Sequence, residues 1–111
     1  MIVALDHIAI AVPDLEKAIK RFMEDFELTY KGSEDVADAK TSTAFFPVPE
    51  TSIELVHPLN GEGPIAGYLE KKGGGLHHLC IVVLRDWQFM DHRRYRRCCA
   101  GGYCSICRVV H

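Results

Sequence analysis

The first quarter of the chain changes from an alternating pattern to a helical one. Residues 4–12 alternate as a β-strand, which places His7, Ala9 and Ala11 on one face and branched side chains on the other. An amphipathic helix follows, with Asp14 as its expected N-cap. Its apolar side chains recur at helical spacing: Leu15, Ala18, Ile19, Phe22, Met23 and Phe26. We expect the branched face to pack under this helix and the small face to leave open space beside His7.

Three further strands and a second helix are predicted after this unit. They are a short strand and polar loop within residues 29–40 (the loop at 32–38), strands at 41–48 and 52–57, a helix at 64–72 and a glycine turn at 73–75. Pro64 favours the first turn of the second helix, because its ring fixes a helical φ. The order β-α-β-β-β predicts an α+β fold.

The strand after the glycine turn repeats the first strand. Residues 76–83 match residues 5–12 at their Leu, His, Ile and Val positions without gaps, so His78 is the counterpart of His7. Strict alternation places His77 on the face opposite His78. Such a repeat predicts a second βαβββ unit. The residues that follow show no clean period, and only a weak helix is expected, between Asp86 and Cys98.

The composition is that of one small soluble domain. The chain has 111 residues, of which 48% are hydrophobic and 25% are charged. Because no apolar run approaches the ~20 residues of a membrane span and no signal-peptide core precedes Asp6, we expect a cytoplasmic protein without a membrane partner. A net charge of −2 gives no reason to expect a nucleic-acid partner.

The composition changes near residue 84. Residues 1–84 contain six Lys, one Arg and thirteen acids, whereas residues 85–111 contain six Arg, two acids and no Lys. Four of the five cysteines lie beyond the change. The C-terminal segment is therefore either a second functional segment or the product of a different reading frame.

Three interpretations of residues 84–111 follow from this composition. A zinc knuckle would be built on one Cys-x-x-Cys pair, with Cys98, Cys99, Cys104, Cys107, His92 and His111 as candidate ligands. The arginines could instead mark a tail that binds nucleic acid. We favour a shifted frame, because one choice of codons for residues 93–99, read from its second base, gives a peptide that matches residues 13–19.

Three side chains could line one cavity of the predicted sheet. His7, Glu54 and His78 each lie on a strand face that can share a site. Two imidazoles and a carboxylate commonly bind a divalent ion, which can then polarise a carbonyl group. The alternative is that Glu54 is a solvated strand residue and the histidines are half-buried members of the core.

Four segments resemble the vicinal oxygen chelate superfamily, and within it the methylmalonyl-CoA epimerases. They are DHIAIAV (residues 6–12), IELVHPL (53–59), PIAGYLEKK (64–72) and GLHHLC (75–80). The resemblance covers residues 2 to about 83 and implies two βαβββ modules that form a cupped sheet around a metal ion. The expected domain comprises a first module at 1–58, a linker helix at 59–75 and the first strand of a truncated second module at 76–83, followed by the atypical tail at 84–111.

The resemblance implies that His7, Glu54 and His78 bind a divalent cation: cobalt, manganese, nickel, magnesium or zinc. It implies a racemase or epimerase that moves the proton on the carbon α to an acyl-CoA thioester through a metal-stabilised enolate. The family's fourth ligand, a last-strand glutamate that is also an acid/base group, has no counterpart after Val83. Another acidic position of the family falls near Thr43. The catalytic residues are therefore unknown, and impaired activity is expected.

Two other functions stay open. One is a non-catalytic metal-binding or interaction module, which could be a homodimer because an unfinished second half leaves edge strands that pair readily with another chain. The other is a lyase similar to glyoxalase I. An assay that compares methylmalonyl-CoA with a hemithioacetal would separate this lyase from an epimerase.

Overall fold

The computed structural model describes residues 2–83 and 107–110. Its elements are β1 (Ile2–Ala11), α1 (Leu15–Glu24), β2 (Ser33–Val36), β3 (Thr41–Val48), β4 (Thr51–Pro58), a 3-10 turn (Leu59–Gly61), α2 (Pro64–Lys72), β5 (Gly75–Val83) and β6 (Cys107–Val110). The helix expected between residues 86 and 98 lies outside the described residues. So do the candidate zinc ligands of the tail, apart from Cys107.

The strands form one mixed sheet in the order β2-β3-β4-β1-β5-β6. β1 runs parallel to β4, and the other neighbouring pairs are antiparallel. The predicted order β-α-β-β-β and the α+β class are confirmed. The centre of the sheet is the trio β4-β1-β5, so side chains on β1 have a neighbouring strand on each side.

A short strand was predicted within residues 29–40, but β2 lies at Ser33–Val36, where the sequence predicts the polar loop, so the predicted position of the loop was wrong. The strand pairs antiparallel with β3, from Ser33 opposite Ala44 to Val36 opposite Thr41. It is an edge of the sheet, and its first three residues are exposed. An edge strand is held by backbone hydrogen bonds along one side and needs no apolar face, so its polar sequence carried no strand signal.

Helix α1 covers the branched face of β1, as predicted. Asp14 caps it, because its carboxylate accepts a hydrogen bond from the Lys17 N–H at 3.1 Å. The helix ends at Glu24, so Phe26, which was expected in the apolar stripe, lies beyond it and is 56% exposed. The buried cluster under the helix comprises Val12, Ala44, Phe46 and Leu55, with Leu15, Ala18, Ile19 and Phe22 packed against it.

Helix α2 covers the opposite face of the same strand. Ile65 forms a buried cluster with Ala9, Ala11 and Val56, and Tyr68 packs against it. The open space expected beside the small residues of β1 is therefore filled at these two alanines. The pattern of β1 alone does not show that a later helix returns to this face. Neither described helix has the length and apolarity that crossing a membrane requires.

β6 lies next to β5 and pairs with it antiparallel. It pairs with residues 79–82, and Val109 lies opposite Cys80. On the other side of the sheet's centre, β4 pairs in parallel with residues 8–11 of β1, which are the counterparts of 79–82 in the repeat. β5 is therefore covered along these residues, where an exposed edge was expected, and residues 107–110 are part of the sheet.

Candidate metal centre

Three side chains meet beside Ala9, in the middle of the sheet. Ala9 lies opposite Glu54 on β4 and opposite His78 on β5, and His7 lies two residues before it on β1. His7 Nε2 is 3.1 Å from His78 Nε2 and 3.2 Å from Glu54 Oε2. The structure thus brings together the three residues that the sequence singles out as candidate ligands. That they bind a metal ion remains a prediction.

His7 Nε2 lies at the distance from His78 Nε2 and from Glu54 Oε2 that two ligands of one ion require. Two ligand atoms that each lie about 2.1 Å from an ion are about 3.0 Å apart at a right angle and about 3.4 Å apart at the tetrahedral angle. The distances of 3.1 and 3.2 Å to His7 Nε2 fall in this interval. Imidazole and carboxylate ligands together suit divalent transition metals. The residues therefore fit a divalent cation.

The carboxyl group of Glu54 is held away from water. Its side chain is 16% exposed and that of His7 is 5% exposed. Burial raises the pKa of Glu54 to about 7; His7 opposes this rise, whereas Asp6 and Glu34 add to it. When Glu54 is ionised, its negative charge faces the electron pair of His7 Nε2, and the two repel each other. A divalent cation would relieve this repulsion.

Asp6 is a member of the site that the sequence analysis missed. Its Oδ2 lies 2.7 Å from His7 Nδ1. Alternation would place the two side chains on opposite faces, but the register skips Asp6 and pairs Leu5 and His7 with consecutive residues of β5. Because an ionised carboxylate only accepts, Nδ1 of His7 carries the proton and Nε2 presents an electron pair to the site. Metal-binding histidines are commonly held in this way.

His77 lies on the same side of the sheet as His78, so its predicted position was wrong. Its Nδ1 is 2.6 Å from His78 Nδ1, and its ring packs edge-on against Tyr68 of α2, with centroids 4.9 Å apart. The register skips His77, because Ile10 pairs with Leu76 and Ala9 with His78. A bulged residue does not follow strict alternation. The sequence signal was the pair of dipeptides Asp-His and His-His at equivalent positions of the repeat.

Thr43 lies near the position where the resemblance implies another acidic residue. It is buried, and it lies between Glu34 on β2 and Val56 on β4 in the register of the sheet. The charge of Glu34 contributes to the raised pKa of Glu54, so Glu34 acts on the site from the neighbouring strand. The sequence analysis did not single out Glu34, because it had assigned this segment to a loop.

Cys80 is a further group near the site that the sequence analysis did not include. It is fully buried and lies opposite His7 in the register of β1 and β5. Ligand atoms of Asp6, His7 and Cys80 all lie within 4.8 Å of one another. A thiol beside the histidine adds a soft donor to a site whose other donors are nitrogen and oxygen.

Comparison with known proteins places the chain in a family. The sequence profile of the Glyoxalase/Bleomycin resistance protein/Dioxygenase superfamily matches residues 6–96. The ethylmalonyl-CoA/methylmalonyl-CoA epimerase of Cereibacter sphaeroides is 44% identical over 84 residues, which cover 75% of this chain and 63% of the relative. The mitochondrial methylmalonyl-CoA epimerase of Homo sapiens is 42% identical over 80 residues, which cover 71% of this chain and 46% of the relative.

Solved structures share the fold. The methylmalonyl-CoA epimerase from Mycobacterium tuberculosis superimposes with a TM-score of 0.66 at 32% identity, covering 70% of this chain and 53% of that one. This chain thus spans about half to two thirds of the length of the proteins it matches. The resemblance predicted from the sequence is confirmed: the chain belongs to the Glyoxalase/Bleomycin resistance protein/Dioxygenase superfamily, and the relatives described above are methylmalonyl-CoA epimerases.

Proposed function

We propose that this chain is a metal-dependent epimerase of an acyl-CoA thioester, such as methylmalonyl-CoA, and that its activity is impaired. His7, Glu54 and His78 would hold the cation. The observation that carries the proposal is the convergence of three electron-pair donors, at 3.1 and 3.2 Å from His7 Nε2. The substrate class comes from the names of the relatives, which are methylmalonyl-CoA epimerases.

Epimerisation next to a thioester removes a proton from one face of the α-carbon and returns one to the other face. A divalent cation, when bound, supplies a Lewis acid for the thioester oxygen. Two imidazoles offer neutral electron pairs to it, and Glu54 offers a negative charge. Asp6 fixes the ring of His7 so that Nε2 faces the site. The buried Ala9 and the packing of α2 exclude water from the floor of the site.

The site is poorly supplied with the acid/base groups that the reaction needs. Thr43 cannot replace a carboxylate, so among the described residues Glu34 is the acid best placed to serve as one base. The second acid/base position would be the counterpart of Glu54 in the second half of the repeat. Glu54 lies opposite Ala9. In the repeat Ala9 corresponds to Cys80, and the residue opposite Cys80 is Val109, which has no proton to exchange. Because each acid/base group typically contributes about 10²–10⁴-fold, losing one or both accounts for impaired activity.

The test is deuterium exchange at the α-carbon of methylmalonyl-CoA in the presence of a divalent cation. We expect little exchange with the 111-residue chain and strong exchange with a version whose reading frame is restored after Val83. Comparable rates in the two proteins would contradict the proposed impairment and would mean that Glu34, His77 or the tail supplies the base. No exchange in either protein would contradict the epimerase assignment itself.

A non-catalytic metal-binding module is the second candidate, and the register of β6 favours it. The strand places valine where the repeat calls for a second carboxylate. Calorimetry that shows binding of a divalent cation, together with no proton exchange in either version, would support this function. Turnover of a hemithioacetal would instead support a lyase similar to glyoxalase I. The cytoplasmic location, the homodimer and the identity of the cation stay predictions.

A further inference from the structure

The two central strands are related by a local two-fold axis. β1 and β5 run antiparallel, and the sequence repeat maps residues 5–12 onto 76–83. The centre of this symmetry is the pair Ile8↔Leu79. The repeat maps the pair on one side of it, His7↔Cys80, onto the pair on the other side, Ala9↔His78. Any feature of one strand near the axis can therefore be compared with its counterpart on the other.

The symmetry extends to the bulges. The register skips one residue in each strand, Asp6 in β1 and His77 in β5, and these residues occupy the same place in the repeat. Each bulged side chain reaches Nδ1 of the histidine that follows it, at 2.7 Å from Asp6 to His7 and at 2.6 Å from His77 to His78. Two independent departures from alternation thus lead to the same contact.

We propose that His77 is a positioning residue that sets which nitrogen of His78 carries the proton, as Asp6 does for His7. This inference rests on the proposed cation site for its functional meaning. Its structural basis, the paired bulges and their contacts to Nδ1, is independent of whether the chain is an epimerase.

The protons of the metal-free site can be assigned along the chain of contacts. The carboxylate of Asp6 only accepts, so His7 donates through Nδ1 and its Nε2 accepts. His7 Nε2 lies 3.1 Å from His78 Nε2, so His78 donates to it through Nε2–H. Nδ1 of His78 then accepts, and His77 donates to it through Nδ1–H across 2.6 Å.

Binding of a cation requires the opposite arrangement at His78. Nε2 must then present an electron pair, so the proton of His78 lies on Nδ1 and is donated to Nδ1 of His77. His77 in turn carries its proton on Nε2. One proton leaves Nε2 of His78 and one is taken up at Nε2 of His77, so the two neutral rings exchange tautomers with no net change in protonation.

This exchange explains why the repeat has an imidazole at one position and a carboxylate at the other. A carboxylate accepts only, and it fixes its histidine in the metal-binding tautomer at all times. A neutral imidazole can donate or accept through the same Nδ1, so His77 allows His78 to donate to His7 without the ion and to bind with it. The metal-free pair avoids two electron pairs facing each other at 3.1 Å.

Nitrogen-15 spectra of the imidazole rings test the inference, because they show which nitrogen of each histidine is protonated. At about pH 8, above the ordinary histidine pKa of about 6.5, we expect protonation of His78 at Nε2 in the metal-free chain and at Nδ1 after addition of Zn²⁺. The His77→Asp variant should show Nδ1–H on His78 in both states. The same tautomer of His78 in the metal-free chain and in metal-free His77→Asp would overturn the proposal.

Zn²⁺ affinity gives a second readout at the same site. The His77→Phe variant keeps a ring beside Tyr68 but has no hydrogen-bonding atom, and we expect about 10-fold weaker binding. His77→Asp should bind at least as tightly as the natural chain. His57→Gln is the control, because His57 bonds the Val12 carbonyl, away from the site, and its loss should leave the affinity unchanged. Natural affinity in His77→Phe would contradict the proposal.

The outcomes separate this inference from the proposed function. Zn²⁺ binding that survives His7→Ala belongs to other groups of the chain, such as the cysteines of the tail. This binding is subtracted from the total that each variant shows. A chain that catalyses exchange but shows no change of tautomer in His77→Asp retains its function and contradicts the inference. A chain that shows the tautomer change but no exchange contradicts the proposed function alone. If His77→Phe fails to fold, the spectra of the natural chain and of His77→Asp still decide.

Discussion

Glu54 should make the metal-free chain less stable as the pH rises, and Glu54→Gln should remove this effect. The pKa of Glu54 lies at about 7 in the fold, against 4.5 for the exposed side chain. Between these values the folded chain binds more protons than the unfolded chain, so the free energy of unfolding falls as pH increases. The contribution is fully present below about pH 4.5 and is lost as the pH passes 7.

The magnitude follows from the difference between the two pKa values. One pKa unit corresponds to about 1.4 kcal/mol, so ionising Glu54 inside the fold costs about 3 kcal/mol. Glutamine keeps the size of the side chain, but it has no charge to bury. We therefore expect Glu54→Gln to match the natural chain near pH 4.5 and to exceed its free energy of unfolding by about 2–3 kcal/mol near pH 8.

Urea denaturation in the presence of a chelator measures this difference at each pH. Other groups that titrate contribute to both proteins, so the difference between the two curves isolates Glu54. Glu70→Gln, which changes an exposed glutamate on α2, should run parallel to the natural chain. A difference that does not change with pH, or that favours the natural chain as pH rises, would refute the reasoning.

Four further outcomes follow from the site and the core. Because the proposed cation site has three protein ligands, calorimetry should show weak binding that His7→Ala abolishes; tight binding that survives this change would point to the cysteine tail. Asp6→Asn should weaken binding by about 10–100-fold in the same titration, because its amide no longer compels Nδ1–H on His7. Binding below about pH 7 should release a proton from Glu54, seen as heats that depend on the ionisation enthalpy of the buffer. Phe46→Ala should cost about 3–5 kcal/mol in urea denaturation because Phe46 is fully buried, whereas Phe26→Ala, at a side chain that is 56% exposed, should cost far less.

Local signals predicted most of the fold. The bounds of β3 and α2 agree with the sequence because Pro64 marks a helix start and because β-branched and aromatic residues mark the strand. The start of α1 was predicted because Asp14 is a residue type that favours the N-cap of a helix. The short strand within residues 29–40 was predicted but β2 lies in the segment assigned to a loop, because an edge strand is selected by its partner's backbone and not by its own side chains.

The sequence predicted which three side chains meet at the candidate site but not which residues support them. His7, Glu54 and His78 were found because alternation and the repeat hold at those positions. Asp6 and His77 were not, because each lies in a bulge, and a bulge is set by the register between two strands. Alternation within one strand cannot show where its partner skips a residue. The repeat was the one sequence feature that carried this information, since it aligned two polar residues that both precede a histidine.

The two-fold axis also explains why only one half of the site supplies a carboxylate. The histidines come from the symmetric strands β1 and β5, whereas Glu54 comes from β4, which runs parallel to β1. β6 occupies the matching position beside β5 in the opposite direction, with Val109 where a second carboxylate would complete the symmetry. A divalent cation held by two neutral imidazoles and one carboxylate would keep a net charge of about +1. It would be held loosely but would still polarise a thioester oxygen. The step that we expect to be impaired at such a site is therefore proton transfer, which is why deuterium exchange, and not metal affinity, decides whether this chain is an enzyme.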